Sequence, residues 1–473
     1  MSSTEETGPA HVLELRLGPV AHGGHMVARH EGRVVFVRHG IPGELVRAEL
    51  TDGGDDAKFW RADVVEVLEP SPHRRDHPWD RADSLAAHAR GGLPVGGAEF
   101  GHIALPEQRR LKEAVIREQL SRLAGVGQSG TELGGTELGA TGHGAGLDVE
   151  VEPVPLAAGS HDDAGGLAWR TRCSFAVTPD GRLAMHAHRS ETLIPVEDMP
   201  LATREINDLR LWDLDLRGVE RLEVAAPASG SAPHVLFGLA DGVAPSKLAG
   251  ALEGLDPAVS VSAVGPTAGK TPITIRGRGS VSEHVLGHHY TVTGDGFWQI
   301  HRRAPETLVT AAMEALDGVL APGAQVADLY AGAGLFTAPL AAAVGPGGYV
   351  LSVEGAPGTS RDARRTFKRQ PEVAVVQGKV ERVLRRQSDQ GSFDAVVLDP
   401  PRAGAGRDVV RQLIDMAPRA VAYVACDPAS FARDLGWFRQ AGWRLESFRA
   451  FDLYPMTHHV ETVGLLLPPP KGW

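Results

Sequence analysis

Cysteine is scarce in this chain: Cys173 and Cys426 are the only two in 473 residues. Two thiols cannot build a disulfide framework, nor can they alone hold a four-thiolate cluster. Long apolar runs are lacking too, and none would span a bilayer. Basic residues are missing from Met1–Ala10, which carry acids instead, so the start does not resemble a secretory leader. A reducing cytoplasmic setting, without membrane attachment, is the expectation. Positive charge is also in deficit, at a formal net of −11. That argues mildly against nucleic-acid binding and requires any such contact to come from a local basic face. The arginine pairs Arg109/Arg110, Arg302/Arg303, Arg364/Arg365 and Arg385/Arg386 permit one, although such pairs are more often solvated helix faces.

What is present describes a globular protein, 42% hydrophobic and 23% charged. The length is too great for one ordinary core. Residues 1–9 read as disordered. From 10 to 69 the texture is short and β-rich, with Val12–Leu17, Arg33–Val37, Glu44–Leu50 and Ala62–Val67 between Gly-rich turns, which suggests a small barrel. Residues 70–292 read as an irregular linker, a helix over Pro106–Leu123 and a middle α+β domain. Within them, 124–148 is a Gly-rich near-repeat expected to be a flexible insertion. From 293 to 473 strands and helices alternate, predicting a parallel, doubly wound sheet with an antiparallel edge.

In that last region the strand Val326–Tyr330 runs into Ala331-Gly332-Ala333-Gly334. A strand ending in Gly-x-Gly lets the backbone approach a nucleotide-like ligand, where a β-carbon would occupy the ligand's volume. The next strand, Val350–Val353, ends at Glu354, the place where an acid accepts hydrogen bonds from ribose hydroxyls. No third glycine follows, because Leu335 and Phe336 come next. S-adenosylmethionine therefore suits the site better than a dinucleotide.

More chemistry gathers at the same sheet edge. Asp399-Pro400-Pro401-Arg402 closes the strand Ala395–Leu398. Cys426 ends the apolar run Ala420–Ala425, with Asp427-Pro428 opening a helix. Gln299 stands in Phe297-Trp298-Gln299, and Glu461 sits inside a late strand, where burying a carboxylate without a partner is costly. A thiol, a carboxylate and a methyl donor fit one reaction. Carbon 5 of uracil is a weak nucleophile until a thiolate adds at carbon 6. After methylation a base must remove the carbon-5 proton. Cys426 and Glu461 fit those two roles. Asp427 would disfavour thiolate formation, so it is expected to turn away.

These residues resemble the RNA 5-methyluridine methyltransferases of the class I, S-adenosylmethionine-dependent type. The likeness runs from His11 over nearly the whole chain, apart from the Gly-rich insertion and much of the middle domain. It implies a C-terminal α/β Rossmann-like methyltransferase domain, with Cys426 as nucleophile and Glu461 as proton acceptor. Cofactor contacts from Gln299, Tyr330, Glu354 and Asp399 are implied as well. The start, with Gly23-Gly24, Gly32–Val37 and Ile41–Glu44, resembles the family's TRAM domain, an OB-like RNA-binding barrel; Arg33 and Arg38 are its candidate RNA contacts. The expected partner is ribosomal or transfer RNA, bound by a monomer.

Two departures stand out. Some members hold a four-iron, four-sulfur cluster, but the corresponding stretches here read Ser71-Pro72-His73, Val95–Ala98 and Met199, so no cluster and no metal site are expected. Leu335 replaces an asparagine that touches the cofactor in some relatives. Two other readings remain open: an amino-methyltransferase using Asp399-Pro400-Pro401, and a non-catalytic RNA-binding protein.

Overall fold

The structure, a computed structural model, describes residues 12–54, 56–127, 148–157, 164–188, 190–266, 269–387 and 391–470. The stretch expected to be disordered, 1–9, and most of the insertion expected at 124–148 lie outside the described residues. The chain divides into two units. One runs to Val115 and adds Ala184–Met199 and Tyr454–His458; the other holds Ile116–Leu183, Pro200–Leu453 and the segment from His459. The divisions do not fall at 69 and 292, and the long helix Leu105–Ala124 begins in the first unit and ends in the second.

In the first unit, alternating side chains set up a half-buried sheet. Val35, Val37, Val46, Ala48, Ala62 and Val64 point inward and are fully buried, as a period of two requires. Six strands follow the order Val12–Arg16, Leu45–Asp52, Phe59–Glu69, Arg33–Arg38, His25–His30, Val20–Ala21. The two strands at 20–30, between Gly-rich turns, are additions to the expected set. Beyond the first strand the chain bends onto Val27: Gly18 N–H donates to its carbonyl at 2.8 Å, and its own N–H donates to Pro19 O at 2.9 Å. The sheet is barrel-like, yet no strand pairing closes it among the described residues. Glu44 anchors the exit, its buried carboxylate accepting from Ile41 N at 2.9 Å, Ser71 N at 3.1 Å and Arg74 at 2.7 Å. Arg38 is no open RNA contact: it makes a two-pronged pair with Asp63 at 2.6 and 2.5 Å, and its side chain is 14% exposed. Met199 is buried and Val95 bridges to Ala187.

The second unit is built on eight strands. Their order is Val373–Gln377, Tyr349–Glu354, Gln325–Leu329, Ala395–Leu398, Ala420–Ala425, Glu461–Leu467, Arg444–Asp452, Val151–Pro153. The first five are parallel. Glu461–Leu467 runs antiparallel to both neighbours, and Arg444–Asp452 pairs in parallel with Val151–Pro153. The antiparallel strand is therefore internal, not the expected edge, which is taken by three residues from far upstream. Leu351, Val353, Val396 and Leu398 are fully buried in the core, each contributing about 1.5–3 kcal/mol by removal from water. A second sheet, which includes Arg172–Val177, Val219–Ala225, His234–Leu239, Ser260–Gly265 and Gly269–Arg276, carries Cys173 buried within it.

Strand order reverses beside Gln325–Leu329: the chain first moves outward to Tyr349–Glu354, then returns to Ala395–Leu398 on the other side. The carboxyl ends at such a reversal leave a crevice where ligands bind.

Candidate active site

Of the residues singled out in the sequence, Tyr330, Glu354, Asp399, Cys426 and Glu461 stand at the carboxyl-end side of this sheet. Tyr330 directly follows the strand Gln325–Leu329, and Asp399 directly follows its neighbour Ala395–Leu398, with the Asp399 N–H donating to Leu329 O at 3.2 Å. Tyr330 has φ +64°, a strained backbone for an aromatic residue. Its hydroxyl donates to Ala405 O at 3.4 Å. Glu354, at the end of the next strand, accepts from Gly332 N at 2.8 Å and from Ala356 N at 2.5 Å. It thus ties down the Gly-x-Gly turn.

The two glycines do different jobs. Gly332 has φ +57° and open space where a β-carbon would stand, as a ligand-facing turn needs. Gly334 has φ +94°, and a β-carbon there would lie 2.3 Å from the Phe367 ring. Packing against Phe367, just past the end of the helix Pro357–Thr366, not ligand approach, excludes a side chain at Gly334. Beneath the turn lies Asp328, fully buried, with one oxygen accepting from Thr337 Oγ1 at 2.5 Å and the other without a partner. Burial, opposed by the Thr337 bond and assisted by Glu354, pushes its carboxyl up to about 7.

Cys426 and Glu461 come together through strand register. Ala425 pairs with Thr462 on antiparallel strands, so the next positions on that ladder are Cys426 and Glu461. Thr462 Oγ1 also donates to Ala425 O at 3.1 Å. Glu461 is buried and Cys426 half-buried. Burial first, then the charges of Glu461 and Asp399, push the Cys426 thiol up to about 12, against the opposing pull of Arg402. Asp399 is held well above the usual carboxylate range by burial, Glu461 and Asp328. Asp427 caps the helix Pro428–Gln440, accepting from Ser430 N at 2.7 Å. Its remaining effect on the thiol is the smallest of those named.

Gln299 is buried and lines a cavity of about 440 Å³ with Trp298, Glu283, His301 and Arg302. No hydrogen bond joins it to the other site residues among the described residues. Leu335 is buried, and its carbonyl accepts from Tyr290 OH at 3.0 Å. Two acids escaped the sequence reading, Asp328 and Asp434. Each interrupts an apolar pattern: Val326-Ala327-Asp328-Leu329 in a strand, and Phe431, Leu435 and Phe438 around Asp434 on a helix. That interruption was the available signal.

The residues fit a sulfonium-bearing nucleoside. The open turn at Gly332, the strand-end acid Glu354 and the orphan oxygen of buried Asp328 each offer space or acceptors for such a ligand. Fold and site together define a methyltransferase of the Rossmann-like class. The comparisons agree. A family model described as tRNA (Uracil-5-)-methyltransferase matches residues 377–468, the span holding Asp399, Cys426 and Glu461. One described as Protein-L-isoaspartate(D-aspartate) O-methyltransferase matches 300–390. An uncharacterized RNA methyltransferase of Streptomyces avermitilis is 41% identical over 461 residues, covering 97% of this chain and 99% of that protein. The 23S rRNA (uracil(1939)-C(5))-methyltransferase RlmD of Shewanella denitrificans is 25% identical, covering 96% and 95%. Among solved structures, the Pyrococcus abyssi tRNA (uracil-54, C5)-methyltransferase, in complex with S-adenosyl-L-homocysteine, superposes with a TM-score of 0.64 at 20% identity. It covers 96% of this chain and 99% of that one. The chain belongs to the S-adenosylmethionine-dependent RNA methyltransferases of the uracil-5 type.

Proposed function

We propose that the protein methylates carbon 5 of a uridine in RNA, with Cys426 as nucleophile and Glu461 as base. The observation that carries this reading is the ladder register that sets a half-buried thiol beside a buried carboxylate at the crevice. The Cys426 thiolate adds to carbon 6 of the ring, and electrons move to carbon 5. The donor supplies an electrophilic methyl group. Carbon 5 takes that methyl as the sulfur–methyl bond breaks and its electron pair stays on sulfur, giving a neutral thioether; Glu461 removes the carbon-5 proton, and re-forming the double bond expels the thiolate. Reaching Cys426 requires the uridine to leave its stack. Gln299, Tyr330, Glu354 and Asp399 hold the donor in this reading, and the setting is the cytoplasm, where ribosomal and transfer RNA are found.

The first unit serves as the TRAM-like, OB-like RNA contact. Support comes from its outward sheet face, where Phe36 and Phe59 meet edge to face with centroids 5.4 Å apart and Arg61 lies over Phe59 at 4.9 Å. Rings with a guanidinium above them offer a stacking platform for unpaired bases. Arg33, over Trp60 at 4.5 Å, remains a candidate contact, and Arg61 takes the place of Arg38: it too pairs with an acid, Asp52 at 2.5 Å, but that pair is solvent-exposed.

The test uses labelled donor and RNA from a strain lacking the gene. Cys426→Ala should transfer no methyl group to any uridine. Glu461→Gln should stall after transfer and accumulate a protein–RNA adduct that survives denaturing electrophoresis. Methyl transfer by the alanine variant would overturn the reading and favour an amine target at Asp399-Pro400-Pro401.

A further inference from the structure

We infer that Asp434 is a positioning residue that couples the methyl-donor side of the crevice to the nucleophile. The inference rests on the roles proposed above for Tyr330, Asp399 and Cys426. Asp434 lies about two turns along the helix that starts just after Cys426, and it is fully buried. One carboxylate oxygen accepts from Ala405 N at 2.8 Å, Gly406 N at 3.3 Å and Tyr423 OH at 2.7 Å. The other accepts from Arg433 Nε at 3.0 Å and Nη2 at 2.7 Å.

These partners belong to the crevice. Ala405 and Gly406 continue the loop that begins with Asp399-Pro400-Pro401-Arg402. Arg433 grips the same loop a second time, donating to Ala403 O at 2.8 Å. Tyr423 lies on the strand that delivers Cys426, and its hydroxyl also accepts from Ala405 N at 3.1 Å. The Ala405 carbonyl accepts from the Tyr330 hydroxyl. One side chain thus fixes the loop of Asp399 and Arg402, the strand of Cys426 and, through Ala405, the ring of Tyr330. Gly404 makes the close approach possible: its φ is +79°, and a β-carbon would stand 2.6 Å from Arg433 Nη2 and 2.7 Å from Asp434 Oδ2. A carboxylate that merely closed a helix would bond its own first turn, as Asp427 does. Asp434 instead bonds a loop from another strand.

The test compares Asp434→Asn, Asp434→Glu and Tyr423→Phe in the full-length protein. Asparagine must aim its NH₂ at either Arg433 or the loop amides, so one set of bonds fails. Three quantities are read: affinity for S-adenosylhomocysteine by calorimetry, alkylation rate of Cys426 by intact mass, and the thermal unfolding profile. The expected result for Asp434→Asn is about tenfold weaker S-adenosylhomocysteine binding together with an altered Cys426 alkylation rate, the size of one or two lost charge-assisted bonds. Tyr423→Phe, which leaves the carboxylate in place, should shift both in the same direction by a smaller factor, and glutamate should partly restore them. If Asp434→Asn fails to fold, Tyr423→Phe decides alone. Folded variants with both quantities within twofold of the parent overturn the inference, as does loss of ligand affinity with the alkylation rate unchanged. Neither readout needs an RNA substrate, so failure of the uridine reading would show separately, as absent methyl transfer by the parent.

Discussion

The resting state of Cys426 can be tested directly. With its thiol pushed up to about 12 by burial and by Glu461 and Asp399, about one molecule in ten thousand carries the thiolate at pH 8, against about a quarter for a free thiol of pKa about 8.5. A thiolate of higher pKa is intrinsically more nucleophilic, and a Brønsted coefficient of about 0.4–0.5 returns roughly one and a half powers of ten. The net expectation is alkylation by iodoacetamide about fifty- to hundredfold slower than for a free cysteine at pH 8. Intact-mass spectrometry over pH 7–10 provides the assay, with Cys426→Ala as background. Cys173 contributes little, because burial pushes its thiol up as well. The rate should climb about tenfold per pH unit without levelling, as expected for titration below the pKa. Glu461→Gln removes one of the opposing charges and should raise the rate at pH 8, though not to the free-thiol value, because burial is the largest cause. A plateau below pH 9 in the ligand-free parent would refute the reasoning.

Two stability predictions follow. Gly334→Ala combines a positive φ of +94° with a β-carbon 2.3 Å from the Phe367 ring, and should cost about 3 kcal/mol as strain plus overpacking; an unchanged urea midpoint would contradict it. His39 and His234 are buried with pKa values lowered to about 4, and His301 to about 3, in each case chiefly by burial. Because these folded values lie below the unfolded one, the contribution is full above the unfolded pKa of about 6.5 and is lost as pH falls toward 4, about 2 kcal/mol per histidine by pH 5. Urea unfolding at pH 7.5 and 5 checks the sign, and equal stability at both would exclude it.

The site was legible where a residue type conflicted with its surroundings. Cys426 and Asp399 end apolar runs, and Glu461 sits inside one. Such placements announce chemistry because burial of a carboxylate needs a reason. Register was not legible: nothing local says that Glu461 stands on the ladder position next to Cys426, since that depends on a strand arriving antiparallel from beyond a further strand. Val151–Pro153 joining the far edge is equally silent in sequence, being three residues long and paired with residues almost three hundred positions away. Gly334 shows the opposite hazard. Its motif invited a ligand-based explanation, while the structure assigns the missing β-carbon to packing against Phe367. Asp328 and Asp434 fall between these cases. Both broke a readable apolar pattern, as Glu461 did, and the same cost of burial applied to them. What distinguished Glu461 in sequence was a neighbouring motif; what distinguishes the other two is only the set of donors the fold brings to them. An acid within an apolar stripe is therefore the more general sign of a working position, and the motif a special case of it.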